Sequence, residues 1–339
     1  MPIASDLNIN ATRFQPENVT EETTKTNQRL EMATRKGPQW YEVGAARYRQ
    51  MHEKGETPYP APVYLSGARD SSIPSREAGR EIPLRIYAPD NGLPSQGVFL
   101  HAHAGGFVLA SQKHYDQRLR SYANAGQLTV ASIGYRLAPE DPYPAAPQDC
   151  FDVAEYFVDN AERDYGAKLV FMGGESAGAT LIALTTFHLM RTRPSHHLKG
   201  LILPSGFYDL TLNLTHLSSV TRPLVLSPEI MKQHVDAYLP NMSFEDKRNP
   251  SVSPLYEDMQ ASVAPEARTK LPPALFLCGT LDPLLQDTLM MSTRWLMAGG
   301  ESVVKIWPGE AHMFSLLPTR SGNEALATMQ QFLQEKMKP

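Results

Sequence analysis

Several things are scarce in this sequence, and each scarcity excludes a class of protein. There are two cysteines, Cys150 and Cys278, in 339 residues. One falls in an apolar helical pattern and the other in an apolar strand pattern, which points to buried free thiols in a reducing compartment rather than a disulfide or a metal pair. Charge of one sign is also lacking: 32 Lys and Arg against 36 Asp and Glu leave a net charge of -4. The basic residues are scattered, so no footprint for nucleic acid or an anionic membrane emerges. No stretch approaches about eighteen uninterrupted apolar residues, and the start, MPIASDLNINATRF, has neither a basic opening nor an apolar core of signal-peptide length. The expectation is a cytoplasmic chain without stable membrane insertion. N-x-S/T sequons at Asn10, Asn18, Asn213 and Asn241 matter only in a secretory lumen and are read as chance. Internal repeats and low-complexity tracts are absent. What remains, 42% hydrophobic and 20% charged residues, suits a sizeable core and a small, neutral or mildly polar ligand.

Residues 1–55 are polar with scattered apolar positions, and within 38–51 Trp40, Tyr41, Val43, Ala46 and Tyr48 recur at helical spacing, as in a helix laid on something else. From Pro62 the texture changes to short apolar runs at 82–87, 97–102, 128–133, 168–172, 198–203, 274–278 and 302–307, separated by helical stretches such as 148–161 and 177–190. Such alternation predicts an α/β fold with a mostly parallel central sheet and helices on both faces. Between Phe207 and Pro272 the alternation stops. Ser227 as N-cap, Pro228 at the first helical position and an apolar face of Ile230, Met231, Val235, Tyr238 and Leu239 predict a helical insertion over the sheet.

The sharpest local feature is Gly174-Glu175-Ser176-Ala177-Gly178, with a strand pattern before it and a helix pattern after it. A serine on so tight a turn needs small neighbours, which is why glycine flanks it at both spacings; a glycine-rich turn without chemistry is the alternative. A hydroxyl becomes a good nucleophile only when a base takes its proton and a third group orients that base. In sites of this kind the chain order is serine, acid, histidine, with acid and base after late strands. Asp282 follows the run 274–278 and His312 follows the run 302–307, where open α/β sheets place their sites. The alternatives are a helix N-cap for Asp282 and a surface loop residue for His312. His103-Ala104-Gly105-Gly106-Phe107 follows the run 97–102. There the backbone N–H groups of Gly105 and Gly106, together with that of Ala177, would receive a developing oxyanion, unless the glycines serve only a turn. His101 and His103 have no third or fourth partner at metal-ligand spacing, so no metal is expected.

HAHAGGF, YRLAPEDPYPAAPQD (135–149), GGESAG, RNPSVSPL (248–255), DPLLQD (282–287) and GEAHMF, in this order and at these separations, resemble the hormone-sensitive-lipase-like esterases over roughly residues 60–335. The resemblance implies the α/β-hydrolase fold, a Ser176–Asp282–His312 triad, an oxyanion hole from Gly105, Gly106 and Ala177, and no cofactor. It also implies a cap made of the N-terminal helices (1–55) and the insertion (207–249) over a core of 56–206 and 250–339. The activity implied is hydrolysis of short- to medium-chain or small-molecule carboxylic esters, and a homodimer is allowed, since members often dimerise. The chain departs from the usual pattern at Ala104, where the family has the first glycine of its His-Gly-Gly-Gly run, and at Glu175, where aspartate is commoner. Both bear on selectivity. Two other functions share the fold: a transacylase or lactone-forming or lactone-opening enzyme, and a non-catalytic small-molecule receptor that has lost the histidine. A chain that keeps His312 favours the enzyme.

Overall fold

Short apolar runs without a polar alternation fit strands covered on both faces or segments of buried helix. The structure, a computed structural model describing residues 8–213, 220–263 and 270–338, turns the runs into one sheet. Its strands are β1 (Arg69–Pro74), β2 (Glu81–Tyr87), β3 (Gly97–Ala102), β4 (Leu128–Ile133), β5 (Leu169–Gly174), β6 (Gly200–Pro204), β7 (Ala274–Gly279) and β8 (Ser302–Trp307). Among the described residues the spatial order is β1-β2-β4-β3-β5-β6-β7-β8. β1 pairs antiparallel with β2 and β2 with β4, whereas every pair from β4 through β8 is parallel. β3, β4, β6 and β7 are buried at every position.

The helices are α1 (Glu21–Lys36), α2 (Trp40–Val43), α3 (Ala45–Glu53), α4 (Asp116–Gly126), α5 (Ala145–Tyr165), α6 (Ala177–Thr192), α7 (Pro228–Tyr238), α8 (Phe244–Lys247), α9 (Met259–Ser262), α10 (Leu285–Met297) and α11 (Arg320–Met337). Alternate strand residues face opposite cores. Phe99, Val130, Phe171 and Leu275 pack with Leu119 and Tyr122 of α4 and Met329 and Phe332 of α11. Val98, Leu100, Met172 and Phe276 pack with Val153 and Phe157 of α5, Leu181 and Phe187 of α6 and Trp295 of α10. α6 is apolar nearly all round and correspondingly buried, as a helix enclosed on every side must be. α7 begins where expected: Ser227 Oγ accepts the N–H of Ile230, and Pro228 occupies the first turn.

Among the described residues β1 is the one strand without a counterpart in the sequence reading. Its residues are Arg-Asp-Ser-Ser-Ile-Pro with only Ile73 buried, so the ladder to β2, not burial, makes it a strand, as is usual at a sheet edge. Cys150 and Cys278 are free and buried. Residues 1–7, residues 214–219 of the expected insertion with the sequon that starts at Asn213, and residues 264–269 lie outside the described residues. Among those described, no helix is long and apolar enough to cross a membrane.

Candidate active site

Ser176 stands between the end of β5 and the first residue of α6, at φ +55° and ψ -120°, a conformation that side chains other than glycine seldom adopt. Its neighbours explain how the turn survives. A Cβ on Gly174 would lie 2.5 Å from the carbonyl oxygen of Ala102, and one on Gly178 only 2.1 Å from that same oxygen. Both glycines are therefore required by the close passage of β3, independently of any chemistry. The Ser176 N–H donates to Pro204 O at 3.1 Å, and Thr180 Oγ1 donates to Phe207 O. The turn is thus tied to the chain leaving β6.

Two loops meet the serine from the carboxyl ends of β7 and β8. Ser176 Oγ donates to His312 Nε2 at 3.0 Å, and His312 Nδ1 donates to both carboxylate oxygens of Asp282, at 3.1 and 3.0 Å. All three side chains are buried. Burial alone would raise the Asp282 carboxyl; the His312 ring, with hydrogen bonds from His312, the Leu284 N–H and Ser205, outweighs it and holds the group below the usual carboxylate range. Asp282 also accepts the Leu284 N–H at 2.9 Å, so the carboxylate both turns its own loop and grips the imidazole.

Gly105 and Gly106 have φ of +122° and +61°, and a Cβ on Gly105 would meet the Leu109 carbonyl oxygen at 2.1 Å. Among the described residues no acceptor takes the N–H groups of Gly105, Gly106 or Ala177. The last of these opens α6, where the helix dipole favours negative charge. The two preceding histidines are committed elsewhere. His103 Nδ1 donates to Ala104 O at 2.7 Å, its ring stacks on Tyr135 at 4.1 Å, and burial pushes it down to about 3. His101 bonds Ser132 Oγ at 2.8 Å and Glu175 Oε2 at 2.9 Å. Burial would raise Glu175; the His101 ring and its hydrogen bond reverse the sign and hold the carboxyl below its ordinary value. The glutamate that replaces the commoner aspartate is thus a buried partner of His101.

A sequence profile of the α/β-hydrolase fold family matches residues 99–316. The chain belongs to the α/β-hydrolase fold family. It is 29% identical over 264 residues, 73% of each chain, to AB hydrolase superfamily protein C1039.03 of Schizosaccharomyces pombe. Among solved structures it is similar to a hyperthermophilic esterase from the archaeon Pyrobaculum calidifontis, with TM-score 0.77 and 25% identity over 95% of this chain and 98% of that one. It is also similar to the ester hydrolase EH1AB1 from the metagenome of Lake Arreo, with TM-score 0.75 and 26% identity over 94% and 97%.

In this α/β-hydrolase-fold chain the serine opens onto a cavity of about 270 Å3 under a helical cap region. Trp40 and Tyr48 come from α2 and α3, Leu226, Met231 and His234 from α7 and the residues before it, and among the described residues none that lines the cavity is Asp, Glu, Lys or Arg. His234 was not singled out in the sequence, although it shares the helix face of Ile230 and Met231. Its ring lies 5.0 Å from that of Trp40 and burial pushes it down to about 4, leaving it neutral. A Cβ on Gly106 would lie 2.3 Å from His234 Nδ1, so the cap rests directly on the candidate oxyanion loop. Asp287, part of the DPLLQD motif, accepts the N–H groups of Tyr208 and Asp209 at 2.6 and 2.8 Å and pins the start of the insertion.

Proposed function

We propose that this chain is a serine carboxylesterase of the hormone-sensitive-lipase-like type, acting through an acyl-enzyme on neutral short- to medium-chain or small-molecule esters. The observation that carries the reading is the unbroken relay from Ser176 Oγ through His312 to Asp282. The ordered motifs and the esterase activity named for similar structures support it.

In this reading Ser176 Oγ attacks the ester carbonyl while its proton passes to His312 Nε2. Asp282 fixes the tautomer with Nδ1 protonated and stabilises the imidazolium. The carbonyl electron pair moves onto oxygen, which the N–H groups of Gly105, Gly106 and Ala177 receive. Collapse breaks the bond to the alcohol, which leaves with the proton from His312. Water then repeats the sequence on the acyl-serine and releases the acid. Residues 1–55 and 207–249 act as the cap over the core of 56–206 and 250–339, and their uncharged, aromatic and aliphatic lining suits an uncharged ester. A complete relay is of no use to a receptor.

A fluorophosphonate probe tests the reading, because it labels serines activated by a base. Wild type should gain one adduct, at Ser176; Ser176→Ala should gain none and lose ester hydrolysis by about 10⁴-fold or more while keeping its melting temperature. His312→Asn should react far more slowly. Absence of labelling in wild type, or equal labelling of the His312 variant, would sink the assignment.

A further inference from the structure

α1 buries Thr23, Asn27 and Thr34, three polar residues on one face. A helix that only shields a cavity docks through an apolar stripe. This one docks through hydrogen bonds, and two of them reach the loop that carries His312. Asn27 Nδ2 donates to Gly309 O at 2.7 Å, and Thr23 Oγ1 donates to Glu310 Oε1 at 2.7 Å. On its other side the same loop is held by the Asp282 loop: the Leu281 N–H donates to Glu310 O at 3.0 Å, and the Gly309 N–H donates to Thr280 Oγ1 at 2.7 Å. Gly309 has φ +70°, and a Cβ there would meet Val19, just before α1, at 2.5 Å. His312 lies two residues beyond Glu310 and three beyond Gly309.

We infer that Thr23 and Asn27 are positioning residues for the general base. They fix the Gly309–Glu310 segment from the side opposite Asp282, and so hold the His312 ring within reach of Ser176 Oγ. The inference rests on His312 being the base of the proposed reaction. The N-terminal cap helix then contributes to the rate of acylation itself, beyond selecting what enters the cavity. The physical reason is that proton transfer needs the imidazole placed to within a fraction of an ångström, and a displacement of about 1 Å costs on the order of a hundredfold. A loop clamped on both sides supplies that placement; without the α1 hydrogen bonds it keeps only the Asp282 loop and the Ser321 hydrogen bond to Glu310, and is freer to swing away from it.

The test uses the full chain with Thr23→Val, Asn27→Leu, the double variant, and Thr23→Ser, which restores the hydroxyl. Each is assayed at a temperature where circular dichroism shows it folded. kcat and KM are measured for the p-nitrophenyl esters of acetate and hexanoate, and inactivation is followed with phenylmethanesulfonyl fluoride. That reagent is small enough to react without filling the cap. The double variant should lose about ten- to a hundredfold in kcat for both esters and in inactivation rate, by a common factor. KM and the ranking of the esters should stay within about twofold, and Thr23→Ser should behave as wild type. If the folded variants, the near-isosteric Thr23→Val included, are inactivated as fast as wild type, or if KM rises while kcat holds, α1 is only a cap wall and the inference falls. Wild type that resists the reagent, or His312→Asn that reacts as fast as wild type, would overturn the proposed function and this inference together.

Discussion

The turn that carries Ser176 and the helix α1 that backs His312 are built from opposite materials. The turn, apart from Glu175, is made of small residues whose constraint is steric: Gly174 and Gly178 leave no room for a methyl group beside Ala102 O, and α6 behind them is buried on nearly every side. α1 is polar on its buried face as well as its exposed one, and Thr23 and Asn27 meet partners 287 and 282 residues away. Close packing leaves a segment one acceptable sequence within a few residues, whereas a hydrogen bond between distant residues leaves no local trace. The two constructions should also respond differently to change.

The largest expected effect is on the turn. Gly178→Ala places a Cβ 2.1 Å from Ala102 O and 2.7 Å from His103 O, both backbone atoms that cannot step aside. Urea denaturation should show a loss of about 3 kcal/mol or more, and turnover of the folded fraction should drop at least about a hundredfold. A variant with near wild-type stability would mean that the turn is not sterically determined.

A smaller effect is expected where the core hands over to the insertion. Burial raises the Asp287 carboxyl well above its usual value, helped by the charges of Asp209 and Asp282 and opposed by the N–H groups of Asp209 and Tyr208. A carboxyl raised on folding binds its proton more tightly in the folded state. Its contribution is complete below the unfolded value near 3.9 and is lost as pH rises through the higher folded value. Asp287→Asn has no proton to lose. The gap in urea midpoint between wild type and this variant should therefore narrow from pH 5 to pH 8. A gap that widens would reverse the assigned sign.

The smallest effect belongs to the cavity wall. Leu226 is only partly buried and lines the space above Ser176. Leu226→Ala should cost under about 1.5 kcal/mol and shift preference toward longer acyl groups by about three- to tenfold, read as the ratio of kcat/KM for hexanoate and acetate esters. An unchanged ratio would place the acyl chain elsewhere.

These differences follow how legible each part is before folding. The central strands stand out because burial on both faces demands uninterrupted apolar runs, and Ser176 stands out because its turn demands glycine at 174 and 178. Asp282 and His312 can be placed because each directly follows a strand whose end is itself legible. β1 is not legible: Ser71 and Ser72 become strand residues only because β2 offers them a ladder. His234 is hidden for a related reason, since its position on α7 marks it as inward-facing without revealing that it rests on Gly106.

Local sequence therefore determined the central strands, the turn at Ser176 and which residues stand at the strand ends, because periodicity, turn sterics and glycine placement act over a handful of neighbouring residues. Only the tertiary structure decided that Asn27 and Thr23 reach Gly309 and Glu310, that Glu175 pairs with His101, and that uncharged groups of α2, α3 and α7 close over the cavity in front of Ser176. These are contacts between surfaces that become neighbours when the sheet closes, where the hydrogen bonds formed offset the cost of taking both partners out of water, and no single segment encodes such a pairing.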